Sequence, residues 1–129
     1  MKSVLIALFS IVSICGCSSV QKSTALEGMP PDAPVERIQV TAKKYEFSPD
    51  PIRVKQGSHV ILEVESLDVT HGLAIDGYGI DVTLPPHQKV TVEFYAKDSG
   101  EYSTHCSHFC GLGHLGMRGK LIVAPSGGK

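Results

Sequence analysis

Short alternations of apolar and polar residues recur from Arg37 onward, the pattern of half-buried β-strands. Ile38, Val40 and Ala42 alternate with polar neighbours, and Ile52 and Val54 follow as a second short strand. Val60, Leu62 and Val64 predict a third strand ending near Ser66, and His71 to Ile75 another. Val82 and Leu84 lead to Pro85-Pro86, after which Val90, Val92 and Phe94 alternate again. Glu101 to Thr104 runs directly into a cysteine-bearing loop, and Arg118 to Ala124 closes the pattern with Leu121 and Val123 on one face. Gln56-Gly57-Ser58 and Asp98-Ser99-Gly100 are turns. No window carries the 3.6-residue period of an amphipathic helix. Many short strands between Pro/Gly turns predict an all-β domain over residues 37–125, an antiparallel Greek-key sandwich or barrel.

The N-terminal part reads differently. Lys2 precedes an apolar run, Val4 to Ile14, broken only by Ser10 and Ser13. It is too short for a membrane-spanning helix, which needs ~20 residues. A secretion signal over residues 1–16 is expected. The run ends in Ile14-Cys15-Gly16-Cys17, and a small residue before a cysteine at that point resembles the bacterial lipobox. That resemblance implies cleavage before Cys17 and a lipid on its thiol; an ordinary signal peptide is the alternative. Residues 17–36, with Pro30, Pro31 and Pro34 and no sustained apolar period, predict a flexible tether, and residues 126–129 a short tail. Together these place the domain outside the cytoplasm, in a bacterial periplasm or at the cell surface, held to the membrane by a lipid anchor.

A chain of 129 residues accommodates one domain with a modest core. Its 12 basic and 13 acidic residues are evenly spread and leave a net charge of −1, which argues against a nucleic-acid partner. Cysteine usage narrows the chemistry further. With Cys15 lost in the signal and Cys17 lipidated, Cys106 and Cys110 remain as the free thiols. In an oxidising compartment such a pair forms a disulfide or binds a metal.

Those two cysteines open the segment C-S-H-F-C-G-L-G-H-L-G-M, Cys106 to Met117. It offers two thiols, the imidazoles of His108 and His114, and the thioether of Met117, with Gly111, Gly113 and Gly116 allowing tight turns. Soft sulfur with imidazole selects copper, zinc or an iron–sulfur cluster over magnesium or calcium. A Cys106–Cys110 disulfide is feasible but leaves His114, Met117 and the glycines without a reason. Structural zinc on His71, Cys106, Cys110 and His114 is chemically sound but does not need Met117. A thioredoxin-like redox pair expects a βαβ pattern that is absent here. Copper has two forms. A mononuclear blue site on His71, Cys110, His114 and Met117 leaves Cys106 spare. A binuclear site bridged by both thiolates uses every soft side chain. Leu112 and Leu115 beside His114 are a candidate docking patch, with plain loop packing as the alternative. His59, His87 and His105 have no slot in the motif.

The loop resembles the CuA motif of cytochrome c oxidase subunit II and nitrous oxide reductase, C-x-x-x-C-x-x-x-H-x-x-M. Asp68-Val69-Thr70-His71-Gly72 resembles the segment that carries that family's first histidine, and the likeness runs from Ile38 to Ala124. The resemblance implies a cupredoxin-type sandwich holding two copper ions. Cys106 and Cys110 would bridge them, His71 and Met117 would bind one, and His114 with the backbone carbonyl of His108 the other. Sharing one electron over two ions keeps bond lengths nearly constant between redox states, which favours electron transfer. The sequence departs from the oxidase pattern in three places. His108 stands where the oxidase subunit usually has a glutamate that also helps hold magnesium. The chain contains no Trp. A lipid anchor is expected in place of a transmembrane hairpin. The implied function is a one-electron carrier rather than an enzyme, working between a redox protein such as a cytochrome and a terminal oxidase or reductase complex. The protein fills every ligand position, leaving no open one for a substrate. Copper delivery or sensing by the same ligands is the alternative, and a structural zinc domain a third class.

Overall fold

The computed structural model describes residues 24–127. The expected signal, the expected lipid site at Cys17 and the last two residues of the tail lie outside the described residues. Nine strands account for most of the domain: β1 (Val35–Lys43), β2 (Glu46–Ser48), β3 (Ile52–Lys55), β4 (His59–Ser66), β5 (His71–Ile75), β6 (Ile80–Leu84), β7 (Lys89–Tyr95), β8 (Gly100–His105) and β9 (Arg118–Ala124). Among the described residues the helical pieces are two 3-10 turns, Thr24–Leu26 and His114–Gly116.

The strands form two sheets, one ordered β2-β1-β4-β7 and the other β3-β9-β8-β5-β6. The all-β sandwich is as expected, but the sheets are mixed rather than purely antiparallel. β1 pairs in parallel with β4, and β3 with β9. Alternation along a strand fixes which face is buried and says nothing about the direction of its neighbour. Pairing begins at Val35, opposite His59, so the expected boundary at Arg37 falls inside β1.

Burial follows the alternation. Val40 and Ala42 from β1, Val60, Leu62 and Val64 from β4, and Val92 and Phe94 from β7 face Ile52, Val54, Leu73, Ile75, Leu121 and Val123 from the other sheet. Each of the valine, leucine, isoleucine and phenylalanine side chains contributes roughly 1.5–3 kcal/mol on burial. Ala25, in the first 3-10 turn, is also buried and belongs to this core. The result is a rigid frame whose β5, β8 and β9 lie side by side in the five-stranded sheet.

Candidate metal centre

Three strand ends bring the expected ligands together. His71 opens β5, Cys106 follows β8, and Met117 precedes β9. The Cys106 N–H donates to the Met117 carbonyl at 3.0 Å, so the β8–β9 pairing continues into the loop and ties its two feet. Between the feet the loop folds on itself. His114 N–H donates to the Gly111 carbonyl at 3.1 Å, and Met117 N–H to the His114 carbonyl at 3.1 Å. Gly111 has φ +135°, a conformation side chains rarely adopt.

The donor atoms converge on one buried point. Cys106 Sγ and Cys110 Sγ are 3.5 Å apart, in contact but not bonded. His71 Nδ1 lies 3.8 Å from Cys106 Sγ, and His114 Nδ1 lies 3.6 Å from Cys110 Sγ. Met117 Sδ is 3.9 Å from Cys110 Sγ, and the His108 carbonyl oxygen is 3.1 Å from Cys106 Sγ. The His108 side chain is exposed, so this residue turns its carbonyl and not its imidazole to the cluster. His71 and Met117 are 0% exposed, and Cys106 and Cys110 are buried. His114 is half-buried. His105 faces Asp76, with 3.7 Å between Nδ1 and Oδ1, and His59 pairs with Glu93 at 2.8 Å.

The sequence reading passed over Asp68. Its Oδ1 accepts from His71 Nε2 at 2.7 Å and from the Val69 N–H at 2.6 Å, and its Oδ2 accepts from the Lys44 N–H at 2.7 Å. A proton held on Nε2 leaves the Nδ1 lone pair pointing at the sulfurs, the arrangement in which a carboxylate orients a metal-binding histidine. The Asp68–Val69–Thr70–His71 spacing was the available signal. Burial raises the Asp68 pKa, but the Lys44 and Val69 N–H groups and His71 outweigh it and hold the carboxyl at about 2. Because the folded value lies below the ordinary 3.8, Asp68 stabilises the fold fully above that pH and loses the contribution as pH falls through about 2. Asp68→Asn in metal-free protein is therefore expected to lower urea stability at neutral pH. The deficit should shrink between pH 4 and pH 2. Equal deficits at both pH values would remove the carboxylate charge from the explanation.

Burial, then the hydrogen bond and charge of Cys106, push the Cys110 thiol up to about 11. A metal bound here takes both sulfurs as thiolates and releases their protons. The donor set is two thiols, two imidazole nitrogens, a thioether and one carbonyl. It fits a soft or borderline ion such as copper, whereas calcium and magnesium take oxygen ligands. The ligand atoms of His71, Cys106 and Cys110 all lie within 4.8 Å of one another.

Apolar side chains surround the exposed part of the loop. Phe109, Leu112 and Leu115 are 71%, 100% and 79% exposed, and the Phe109 ring lies 5.7 Å from that of His114, centroid to centroid.

With this geometry the comparisons with known proteins agree. The cupredoxin-like domain family matches residues 4–123. The chain is 37% identical over 86 residues to cytochrome c oxidase subunit 2 of Thermus thermophilus, a match covering 67% of this chain and 64% of that protein. It is 33% identical over 90 residues to nitrous-oxide reductase of Cupriavidus necator, covering 67% of this chain and 14% of the reductase. The chain thus spans less than two thirds of either relative. In a solved heme-copper terminal oxidase dimer, one chain superposes with a TM-score of 0.62 at 31% identity, covering 68% of this chain and 64% of that one.

Proposed function

The chain belongs to the cupredoxin-like family and is homologous to the copper domain of cytochrome c oxidase subunit 2, and from that premise we propose that it is a one-electron carrier with a binuclear copper centre. One observation carries the reading. Two buried free thiols lie 3.5 Å apart, with an imidazole Nδ1 at hand on either side and a fully buried thioether beside Cys110. Under it, the Cys106 and Cys110 thiolates would hold two copper ions between them, with His71 and Met117 serving one and His114 and the His108 carbonyl the other. Copper held there supplies single-electron chemistry.

The chain's own residues do the rest. Asp68 fixes the His71 ring, so one ligand needs no rearrangement. The core packing of β5 and β9 holds the loop feet and limits movement between redox states. His71 and Met117 are closed off from water, while half-buried His114 reaches the rim among Phe109, Leu112 and Leu115. An apolar rim gives up its water readily to a docking partner. We assign the partners as a cytochrome-like redox protein and an oxidase or reductase complex. The protein is not itself an enzyme, and it works outside the cytoplasm on a lipid anchor at Cys17.

Electron paramagnetic resonance of copper-loaded protein, with metal analysis of the same sample, tests this. The expected result is two coppers per chain, hyperfine splitting from an electron shared by two nuclei, reversible cycling and resistance to a moderate chelator. A single-copper spectrum would sink the binuclear centre, and ready loss of copper to the chelator would turn the reading to delivery.

Met117→Leu gives a finer test. The swap nearly conserves volume and should cost less than ~1.5 kcal/mol of stability. A thioether in a weak axial place tunes copper more than it holds it. The variant should therefore keep its copper and shift its potential, as read by voltammetry. Wholesale loss of copper would make Met117 a principal ligand instead.

A further inference from the structure

We propose that the turn between β1 and β2, Lys44–Tyr45, is a brace that positions both histidine sides of the centre at once, with Tyr45 as its positioning residue. The inference rests on the metal reading above, but its physical basis lies in the protein alone.

On one side the turn reaches His71. The Lys44 N–H donates to Asp68 Oδ2 at 2.7 Å, and Asp68 Oδ1 accepts from His71 Nε2 at 2.7 Å. On the other side the Tyr45 ring lies across the backbone of the ligand loop. A Cβ built on Gly111 would come 2.5 Å from the Tyr45 hydroxyl oxygen, and one built on Gly113 would come 2.6 Å from both Cε2 and Cγ of the ring. Gly111 follows Cys110 and Gly113 precedes His114, so the ring covers the links between those two residues. Gly111 is also required by its positive φ. Gly113 is not: its φ of −89° suits any residue, so the ring is what demands glycine there.

The brace has a firm footing. β1 and β2 pair through Lys43↔Glu46 and Ala42↔Phe47, and both Ala42 and Phe47 are buried in the core. Tyr45 itself is 37% exposed, a large ring spent on covering the loop instead of filling the interior. Residues 110–116 contain three glycines and no strand, so an uncovered loop would sample many conformers. A ring seated on it reduces that freedom before any metal arrives.

The test uses the full chain as Tyr45→Phe, Tyr45→Ala, Gly113→Ala and the Tyr45→Ala/Gly113→Ala double variant. Amide hydrogen exchange of the metal-free proteins and copper release to a chelator are the readouts. Tyr45→Ala should speed exchange by roughly tenfold at the Lys44 amide and across residues 110–116, within the range of local openings, while the other strands keep wild-type rates. Copper release should quicken by a similar factor. Tyr45→Phe keeps the ring and should behave as wild type in both. Gly113→Ala should loosen the loop when the ring is present and do much less when Tyr45→Ala has removed it, a coupling that a double-mutant cycle measures. Equal effects of Gly113→Ala in both backgrounds would overturn the brace. So would unchanged exchange in Tyr45→Ala, or a loosened loop with a still-protected Lys44 amide. Failure of wild-type protein to hold copper would sink the metal reading, while the exchange data would still decide on the brace.

Discussion

Cys106→Ser is expected to take the protein from two coppers per chain to one or none, with loss of any two-nucleus hyperfine pattern. Cys106 Sγ is the atom that joins the two halves of the cluster, 3.8 Å from His71 Nδ1, 3.5 Å from Cys110 Sγ and 3.1 Å from the His108 carbonyl. Serine is close in size, so the fold survives. Its hydroxyl is harder, holds its proton far more tightly and makes a poor bridge for copper. The buried hydroxyl also has an acceptor at hand in the His108 carbonyl, which keeps its burial cost toward the low end of ~1–3 kcal/mol. Metal analysis and electron paramagnetic resonance read the site, and far-UV circular dichroism checks the fold. Unchanged stoichiometry and colour in a folded variant would mean that Cys106 does not bridge.

How far the sequence reached depends on what kind of information each feature carries. The β4 alternation of Val60, Leu62 and Val64 names the buried face directly, and all three are in the core. The parallel β1–β4 and β3–β9 pairings were not legible, because a strand's pattern is the same whichever way its neighbour runs. Ala25 was not legible as core, since the apolar pair Ala25-Leu26 stands in a polar stretch and has no period. The ligand loop was legible because its donors are soft, distinctive and close together in sequence. His71 is 35 residues away from Cys106, yet a histidine opening a predicted strand could still be singled out. The supports of the site were missed. Asp68, Gly72 and Tyr45 belong to common residue types, and their roles come from what lies opposite them in the fold.

Gly72→Ala shows how much such a support is worth. Gly72 lies in β5 next to His71, paired with Thr83, and its φ is outside the left-handed region, so the backbone itself would accept alanine. The obstacle is the loop above it. An added Cβ would overlap Ser107 Oγ and come 2.7 Å from the His108 N and 3.1 Å from the Ser107 N. The hydroxyl could swing aside at the cost of its 2.6 Å hydrogen bond to Asp81 Oδ1. The backbone nitrogen cannot move without the loop. Lifting Ser107 and His108 pulls the His108 carbonyl from Cys106 Sγ and tilts the sulfur away from His71 Nδ1. Overpacking of this kind costs roughly 1–3 kcal/mol. In a domain of this size, each 1 kcal/mol lowers the midpoint of thermal unfolding by about 4–8 °C. Copper affinity should fall as well, by roughly 10–100-fold, because misplaced ligands cost affinity even in a folded chain. Competition against a chelator and thermal unfolding of the metal-free protein measure the two effects. Adding Ser107→Ala removes the side-chain overlap but not the backbone one, so it should restore only part of either. Full restoration would place the constraint in the Ser107 hydroxyl, and a wild-type result for Gly72→Ala alone would mean that the Cys106–His108 turn does not rest on β5.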